Sequence, residues 1–164
     1  MFFSSSTGTT EDAAQVWGNS LPYLVSVSSP EGDEVPNYHS TVTMSAEELR
    51  ALVTEQYPEA ELSGAASEWI TNVSYNASGR VSSLEVGGVA MSGGAARTLF
   101  GLRSSCFQVE EADGTFTFSV TGYGHGVGMS QYGANAMAKE GDGWRDIVTH
   151  YYTGITVEDW ADTR

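Results

Sequence analysis

One glycine-rich stretch constrains this chain more than any other part of its sequence. Residues 122–134 contain five of the 19 glycines and hold a histidine, a serine, a glutamine and a tyrosine between them. Glycine loses more conformational freedom on folding than other residues, so this density predicts left-handed backbone or very close backbone approach. The polar and aromatic side chains are not needed in a plain linker. The stretch therefore predicts a loop that forms a site, although a tight connection alone remains an alternative.

The familiar glycine motifs do not fit this stretch. No register supplies the G-x-G-x-x-G of dinucleotide-binding folds, and a P-loop would need a lysine that the stretch lacks. The segment 128–133 is one residue too long for the G-x-S-x-G turn that presents the serine of α/β-hydrolases. A phosphate cradle and a hydrolase nucleophile are therefore both excluded.

The surroundings of the stretch predict a strand, a loop and a helix. Residues 115–121 alternate apolar and polar side chains, the period of a half-buried strand. Ser130 can cap a helix over 131–139 that Gly141 closes. The loop would then end at a helix N-terminus, where backbone N–H groups favour an acceptor or an anion. Capping alone would also explain Ser130.

The rest of the chain predicts hairpins and short helices. Ser45 and Glu48 form a capping box that begins a helix ending before Pro58. The other predicted elements are an extended start and polar loop over 1–23, an acidic surface turn over 30–36, a hairpin of 69–75 with 80–86, a strand at 89–91, a helix from Ser92 to Leu99, a hairpin of 107–111 with 115–121, a helix over 144–152 and a closing strand at 155–157.

Hairpins with separate helices indicate an α+β fold, a mainly antiparallel sheet of hairpins with three or four short helices. The 164 residues are enough for one domain with a hydrophobic core, and we predict a single domain over 1–164. The formal net charge of −14 disfavours nucleic acid and other polyanions as partners. No apolar run is long enough for a membrane span. Cys106 is the only cysteine, so no internal disulfide is possible, and we expect it to be a small buried side chain.

Three segments in order resemble the stage II sporulation protein D family, which includes the amidase-enhancer proteins. Residues 125–134 resemble the family signature. Residues 3–12, with the Trp17-Gly18 pair and 21–24 after them, resemble its serine-rich segment, and 101–107 resemble its short arginine-serine turn. The similarity reaches 151–154, so it covers nearly the whole chain.

This resemblance implies a bacterial cell-wall protein that acts outside the cytoplasm, in the cell envelope, with its export signal outside this sequence. The best-known members are lytic transglycosylases that act on peptidoglycan glycan strands, particularly strands whose stem peptides an amidase has removed. Others are described as amidase enhancers. The family's general-acid glutamate lies in an alanine-rich helix upstream of the serine-rich segment, and this sequence does not contain it. We therefore expect the C-terminal part of such a domain.

The resemblance also implies which partners and cofactors to expect. Glycan strands of peptidoglycan are the expected partner, with a cell-wall amidase as a second. Metal binding in some members belongs to an upstream cysteine-containing segment that is absent here, so no metal or cofactor is predicted. Nucleic acid is not expected. The alternative to a transglycosylase part is a non-catalytic module that binds glycan or enhances an amidase.

His125 is the strongest candidate for a role in the site, because an imidazole between two glycines has little local cover and can donate or accept a proton near neutral pH. A structural hydrogen bond is the alternative. Arg103 could contact an acetamido or carboxylate group of the sugar, or could form a salt bridge. Glu11 is an acid within a family segment, and it could also be an exposed charge near the start of a helix close to Asp12. Tyr123 and Tyr132 could stack on sugar faces or be buried.

Together these residues predict a groove that binds and orients a glycan strand. The predicted substrate-binding residues are Ser5, Ser6, Thr10, Glu11, Arg103, Ser104, His125, Gly126, Ser130, Gln131 and Tyr132. Cleaving a glycosidic bond requires a carboxylic acid that protonates the leaving oxygen. As the resemblance implies, a transglycosylase needs no water nucleophile, because the 6-hydroxyl of the sugar closes an anhydro ring. That acid is expected from sequence upstream of Met1, with His125 as an auxiliary group.

Overall fold

A computed structural model describes residues 1–158 of the chain, and it confirms the α+β class. These residues contain five α-helices rather than the predicted three or four. The elements are β1 (Phe2–Phe3), α1 (Ala13–Trp17), β2 (His39–Ser45), α2 (Ala46–Gln56), a 3-10 turn (Ala66–Glu68), β3 (Ile70–Tyr75), β4 (Val81–Val86), β5 (Val89–Ser92), α3 (Gly93–Leu99), β6 (Phe107–Ala112), β7 (Thr115–Thr121), β8 (Met129–Ser130), α4 (Gln131–Glu140) and α5 (Trp144–Tyr151).

Two antiparallel sheets of three strands form most of the fold. One has the order β2-β7-β6 and the other β3-β4-β5, and each contains one of the predicted hairpins. The alternating apolar side chains of β7 face inward, as the period of two predicted. The two sheets and the helices α2 and α3 enclose one core. In it Trp69 stacks on Phe116 at 5.9 Å, and Phe118 lies 4.9 Å from Phe100 between ring centroids.

The predicted caps hold α2, α3 and α4. The Ser45 side chain accepts from the Glu48 N–H at 3.2 Å, and the Ser45 N–H donates to Oε2 of Glu48 at 2.7 Å. Ser92 caps α3 and Ser130 caps α4 through N–H groups three residues on. Gly141 ends α4 in the left-handed region.

Several predictions about local structure were wrong. Residues 155–157 form no strand, because no segment within residues 1–158 pairs with them. The polar strand β2 was not predicted, since it is rich in serine and threonine and only its pairing with β7 makes it a strand. Helix α1 was missed as well, although Asp12 caps it at 2.7 Å. The acidic turn 30–36 is not all on the surface: Glu31 and Val35 are buried.

A smaller layer carries the glycine-rich stretch. Strands β1 and β8 pair in parallel, and Ala13, Leu24 and Val127 form a second, small apolar cluster beside them. Segments far apart in sequence thus meet at residues 122–130. No helix within residues 1–158 is long and apolar enough to cross a membrane.

Candidate functional site

The serine-rich N-terminal segment runs alongside the glycine-rich loop. Ser5 and Tyr123 exchange two backbone hydrogen bonds, at 3.1 and 3.0 Å. Further along, the Glu11 N–H donates to the Gly126 carbonyl at 2.8 Å. The loop therefore pairs with this segment through backbone hydrogen bonds, as neighbouring strands of a sheet do.

The arginine-serine turn joins the same loop from the other side. The Gly124 N–H donates to the Arg103 carbonyl at 2.9 Å, and the Ser104 hydroxyl donates to the Thr121 carbonyl at 2.6 Å. The serine-rich segment and the arginine-serine turn, about 90 residues apart in the sequence, thus meet at the loop that carries the family signature. No single stretch of sequence could indicate this contact.

Gly126 and Gly133 show why the stretch requires glycine. Gly126 has a φ of 86°, and a Cβ there would lie 2.7 Å from Cζ of Arg80. Gly133 has ordinary helical backbone, but a Cβ there would overlap the hydroxyl groups of Tyr151 and Ser29. Both parts of the prediction, left-handed backbone and close approach, are therefore confirmed.

The imidazole of His125 is half-buried between two aromatic rings. Phe3 and Trp17 each lie 5.7 Å from it between ring centroids. The Val127 N–H donates to Nδ1 at 3.1 Å, so Nδ1 accepts and the neutral ring carries its proton on Nε2. Desolvation and the positive charge of Arg97 lower the pKa of His125, although a hydrogen bond with the Phe2 backbone raises it. The neutral imidazole is therefore favoured at pH 7.

A pocket of about 110 Å³ opens beside His125. Its walls come from the loop, from α1, from the hairpin of β3 and β4, and from the first turn of α3. The charged residues that line it are Glu11, Arg80 and Arg97. Ser105 of the arginine-serine turn lines it as well, so five parts of the chain form the pocket.

Glu11 directly precedes the cap of α1, as predicted for a charge near the start of a helix, but it is not exposed. It is 4% exposed, and its Oε2 accepts hydrogen bonds from Asn76 Nδ2 at 2.7 Å and from the Ser78 hydroxyl at 2.6 Å. Nε of Arg80 lies 3.8 Å from the same oxygen. Asp12, the next residue, caps α1. Glu11 therefore joins the N-terminal segment to the β3–β4 hairpin.

The predicted site hydroxyls are buried, and those of Ser6, Thr10, Ser104 and Ser130 form hydrogen bonds within the protein. They are 0 to 2% exposed, and the set comprises Ser5, Ser6, Thr10, Ser104 and Ser130. Thr10 Oγ1, for example, accepts from the Val27 N–H at 2.9 Å. In this structure these side chains hold the loop and its neighbours together, and their contact with a substrate stays a prediction.

Glu31 is a buried residue at the base of the site that the sequence did not indicate. Its Oε1 accepts from the Ser6 N–H at 2.5 Å and from the Ser130 hydroxyl, and its Oε2 accepts from the Ser29 hydroxyl at 2.5 Å. Tyr151 is 2.6 Å from the Ser29 oxygen, to which it donates because the Ser29 proton is already used. Desolvation raises the pKa of Glu31, but these hydrogen bonds outweigh it and the pKa lies below its ordinary value.

The exposed part of the predicted site lies along the edge of the loop. Gln131 and Tyr132, at the first turn of α4, are exposed, and so is Tyr123. Cζ of Arg103 lies 4.2 Å from the centroid of the Tyr123 ring, and within residues 1–158 Arg103 forms no ion pair. The salt bridge considered for Arg103 is therefore replaced by a cation–π contact, and the two tyrosines are not buried.

Other reactive side chains do not line this pocket. His39 pairs with Asp33 at 3.0 Å, and His150 contacts the Ser28 carbonyl. Cys106 is half-buried, and burial raises the pKa of its thiol against the opposing effect of Arg80. Over residues 1–158, no three His, Cys, Asp or Glu side chains form a cluster that could hold a metal ion.

Arg80 and Trp17 complete the site, and sequence reasoning did not select either of them. Arg80 follows a hairpin turn, where a charged residue is ordinarily exposed, and only the fold buries it. Trp17 lies within the serine-rich family segment, so its presence was noted, but a contact with His125 requires helix α1.

The comparisons with known proteins agree with the family resemblance of the sequence. No protein-family model matches the chain. Stage II sporulation protein D of Bacillus amyloliquefaciens and that of Bacillus subtilis are each 38% identical to it over 96% of this chain. The amidase enhancer of B. subtilis is 26% identical over 95% of this chain.

The match covers only part of those relatives. The chain spans 44% of the length of each stage II sporulation protein D and 29% of the amidase enhancer. Over nearly its whole length, the chain is therefore a relative of stage II sporulation protein D, the family that its three ordered segments predicted.

Proposed function

We propose that this chain binds glycan strands of peptidoglycan on the surface around His125, within a protein of sporulation or cell-wall remodelling. The broader role, and a location at the cell wall, are supported by relatives named stage II sporulation protein D and amidase enhancer. Binding of glycan is the further step, and it depends on the chemistry of this surface.

The convergence on one loop of two segments that lie about 90 residues apart is the observation that supports the proposal most. The loop is positioned by buried polar residues and by glycines. Burying polar groups and ordering the glycine backbone both reduce the stability of the fold. A connection between a strand and a helix needs none of this. As a result, the imidazole of His125 lies in a fixed position beside a pocket, and a concave pocket with a few well-positioned polar groups is typical of a binding site.

The exposed side chains near the loop suit a sugar polymer. Sugars present apolar ring faces and hydroxyl groups, so they bind aromatic rings together with polar side chains. Trp17, Tyr123 and Tyr132 supply exposed rings, and Gln131 supplies an amide. A glycan strand stripped of its stem peptides carries fewer carboxylates than an intact one, so the net charge of −14 repels it less than it would repel a dense polyanion.

Bond cleavage needs a proton donor, and we do not propose one within the described residues. Glu11, the acid next to His125, is surrounded by donors and by Arg80, which suits a carboxylate with a structural role. We propose that the general acid comes from another part of the full-length protein, and that this chain orients the strand.

The alternative is a non-catalytic module that binds glycan and increases the activity of an amidase. The similarity to an amidase enhancer over 95% of the chain favours it. The two functions differ in products. A transglycosylase releases anhydro-sugar ends from stripped glycan strands, whereas an enhancer releases none and accelerates the amidase.

Binding can be tested by co-sedimentation of the chain with purified sacculi. We expect the wild-type chain to be retained, and His125→Ala to reduce retention severalfold. His39→Ala, which changes an exposed histidine on β2, is the matched control and should be retained like the wild type. Lack of wild-type retention, or equal retention of both variants, would contradict the proposal. Assays of the full-length gene product for anhydro-sugar ends and for the amidase rate then separate the two functions.

A further inference from the structure

Arg80 is a buried cation whose hydrogen-bonding capacity is largely unused. It is 1% exposed, and neither Nε nor Nη2 has a hydrogen-bond partner. Nη1 has two long contacts at 3.5 Å, to the Ser105 hydroxyl and the Gly124 carbonyl. Glu11 offsets its charge at 3.8 Å but is too far from Nε for a hydrogen bond. Buried charges are ordinarily both paired and hydrogen-bonded, so the site lacks an acceptor.

The pocket beside His125 lies against this guanidinium and carries a positive charge. Arg80 and Arg97 line it together with the single carboxylate of Glu11. His125, which also lines it, favours its neutral form at pH 7. Two cations and one anion leave one net positive charge, on a chain whose formal net charge is −14. This local charge is the reverse of that of the protein as a whole.

We propose that this pocket binds a small carboxylate, which accepts hydrogen bonds from Arg80 and faces Arg97. A planar carboxylate matches the geometry of a guanidinium group, and one negative charge balances the pocket. A doubly charged phosphate would be repelled by Glu11 at short range. The volume of about 110 Å³ corresponds to a few water molecules at roughly 30 Å³ each, so it suits a group of a few heavy atoms.

The inference goes beyond the proposed function and does not depend on it. A free carboxylate and a carboxylate carried by a sugar chain share the same chemistry. Either would satisfy Arg80, so the experiment must contain a probe of each kind.

Isothermal titration of the chain with sodium acetate, against sodium chloride at the same ionic strength, tests the pocket. We expect saturable binding of acetate only. Arg97→Gln should weaken binding about tenfold, since it removes one charge that faces the anion. Lys139→Gln removes one charge on the exposed face of α4 and is the matched control, with wild-type affinity expected.

A second variant fills the pocket without changing any charge. Gly94, on α3, lines the pocket, and its backbone is not in the left-handed region. A Cβ at this position would have no neighbouring atom closer than 3.8 Å. Gly94→Leu should therefore fold and should abolish acetate binding. Substitution of Arg80 itself is avoided, because it would leave Glu11 buried without its counter-charge.

Two further probes identify the source of the carboxylate. N-acetylmuramic acid and N-acetylglucosamine differ by a lactyl carboxylate, so tighter binding of the former than of acetate supports a sugar-borne group. Affinity no better than that of acetate supports a free carboxylate. The proposal is overturned if acetate binds no better than chloride, if phosphate binds as tightly as acetate, or if Gly94→Leu and Arg97→Gln bind like Lys139→Gln.

Discussion

Glu31 and Ser130, 99 residues apart in the sequence, share a buried hydrogen bond that joins the acidic turn to the start of α4. The same Glu31 oxygen accepts from the Ser6 N–H, so one carboxylate connects three segments. Ser130 also caps α4 through the Gly133 N–H at 3.2 Å. The position of the glycine-rich loop, which lies between the Ser6 segment and α4, therefore depends on a carboxylate outside it.

Replacing Glu31 by glutamine should lower the free energy of unfolding by about 2–4 kcal/mol. Glutamine has nearly the same shape, but its NH₂ group is a donor and would face hydroxyl or N–H donors. Chemical denaturation at pH 7 measures the change. Glu59→Gln, at an exposed position, is the control and should stay within about 0.5 kcal/mol of the wild type. Equal effects of the two substitutions would show that the Glu31 contacts do not stabilise the fold.

The stability that Glu31 contributes should depend on pH in a defined direction. Its pKa in the folded protein lies below its ordinary value of 4.5, because hydrogen bonds outweigh the opposing effect of desolvation. The contribution is then complete above pH 4.5 and is lost as the pH falls through the lower, folded pKa. The free energy of unfolding should be measured for the wild type and Glu31→Gln from pH 7 to pH 3. The difference between the two free energies should be constant at first and should narrow only below about pH 4.5. A difference that grows on acidification would contradict this assignment.

Gly133 and Gly94 make a matched pair, because both are helical glycines without left-handed backbone. Alanine is favoured over glycine inside a helix by up to about 1 kcal/mol, so Gly94→Ala should be neutral or stabilising. At Gly133 the added Cβ would overlap Tyr151 and Ser29, and its nearest distance to Glu31 Oε2 would be 2.5 Å. We expect Gly133→Ala to destabilise by about 1–3 kcal/mol in chemical denaturation. A stabilised Gly133→Ala variant would mean that this packing is loose in solution.

His125 should titrate below the ordinary histidine pKa of 6.5. Desolvation is the largest cause and the charge of Arg97 is the second. NMR titration of the imidazole in chloride buffer should therefore give a midpoint under 6.5, and Arg97→Gln should raise it. Lys139→Gln should leave it unchanged. Because the folded pKa is lowered, the unfolded state binds more protons, and His125 should reduce stability as the pH falls below 6.5. A titration midpoint above 6.5 would contradict the conclusion that desolvation lowers the pKa of His125.

Local patterns were enough to predict most of the elements. Examples are the capping box at Ser45, the hairpin of 107–111 with 115–121, and the cap at Ser130. Each of them involves residues that are close together in the sequence, so local propensity and the hydrophobic period are enough to predict it. Strand β2 lacks such a signal, because its residues become a strand only through pairing with β7.

The site was predicted in part, for the same reason. His125 and the loop could be selected from glycine spacing, and the resemblance added the serine-rich and arginine-serine segments. The burial of Glu31 and Arg80 could not be predicted, since each stands beside a glycine in a stretch typical of a turn and is covered by segments from elsewhere in the chain. For a charged residue, exposure is the usual expectation, and long-range contacts alone reverse it.

Trp17 provides the most direct test of the surface next to His125. Its ring is 40% exposed and lies 5.7 Å from the imidazole, so a sugar that reaches His125 would pass over it. Trp17→Ala should reduce retention on sacculi severalfold, since stacking of an exposed ring is lost, while the free energy of unfolding changes little. Trp144→Ala is the matched control: this exposed tryptophan lies on α5, and its loss should leave retention unchanged. If both substitutions reduce retention equally, the binding is a general effect of exposed aromatic rings, and the surface around His125 is not the glycan site.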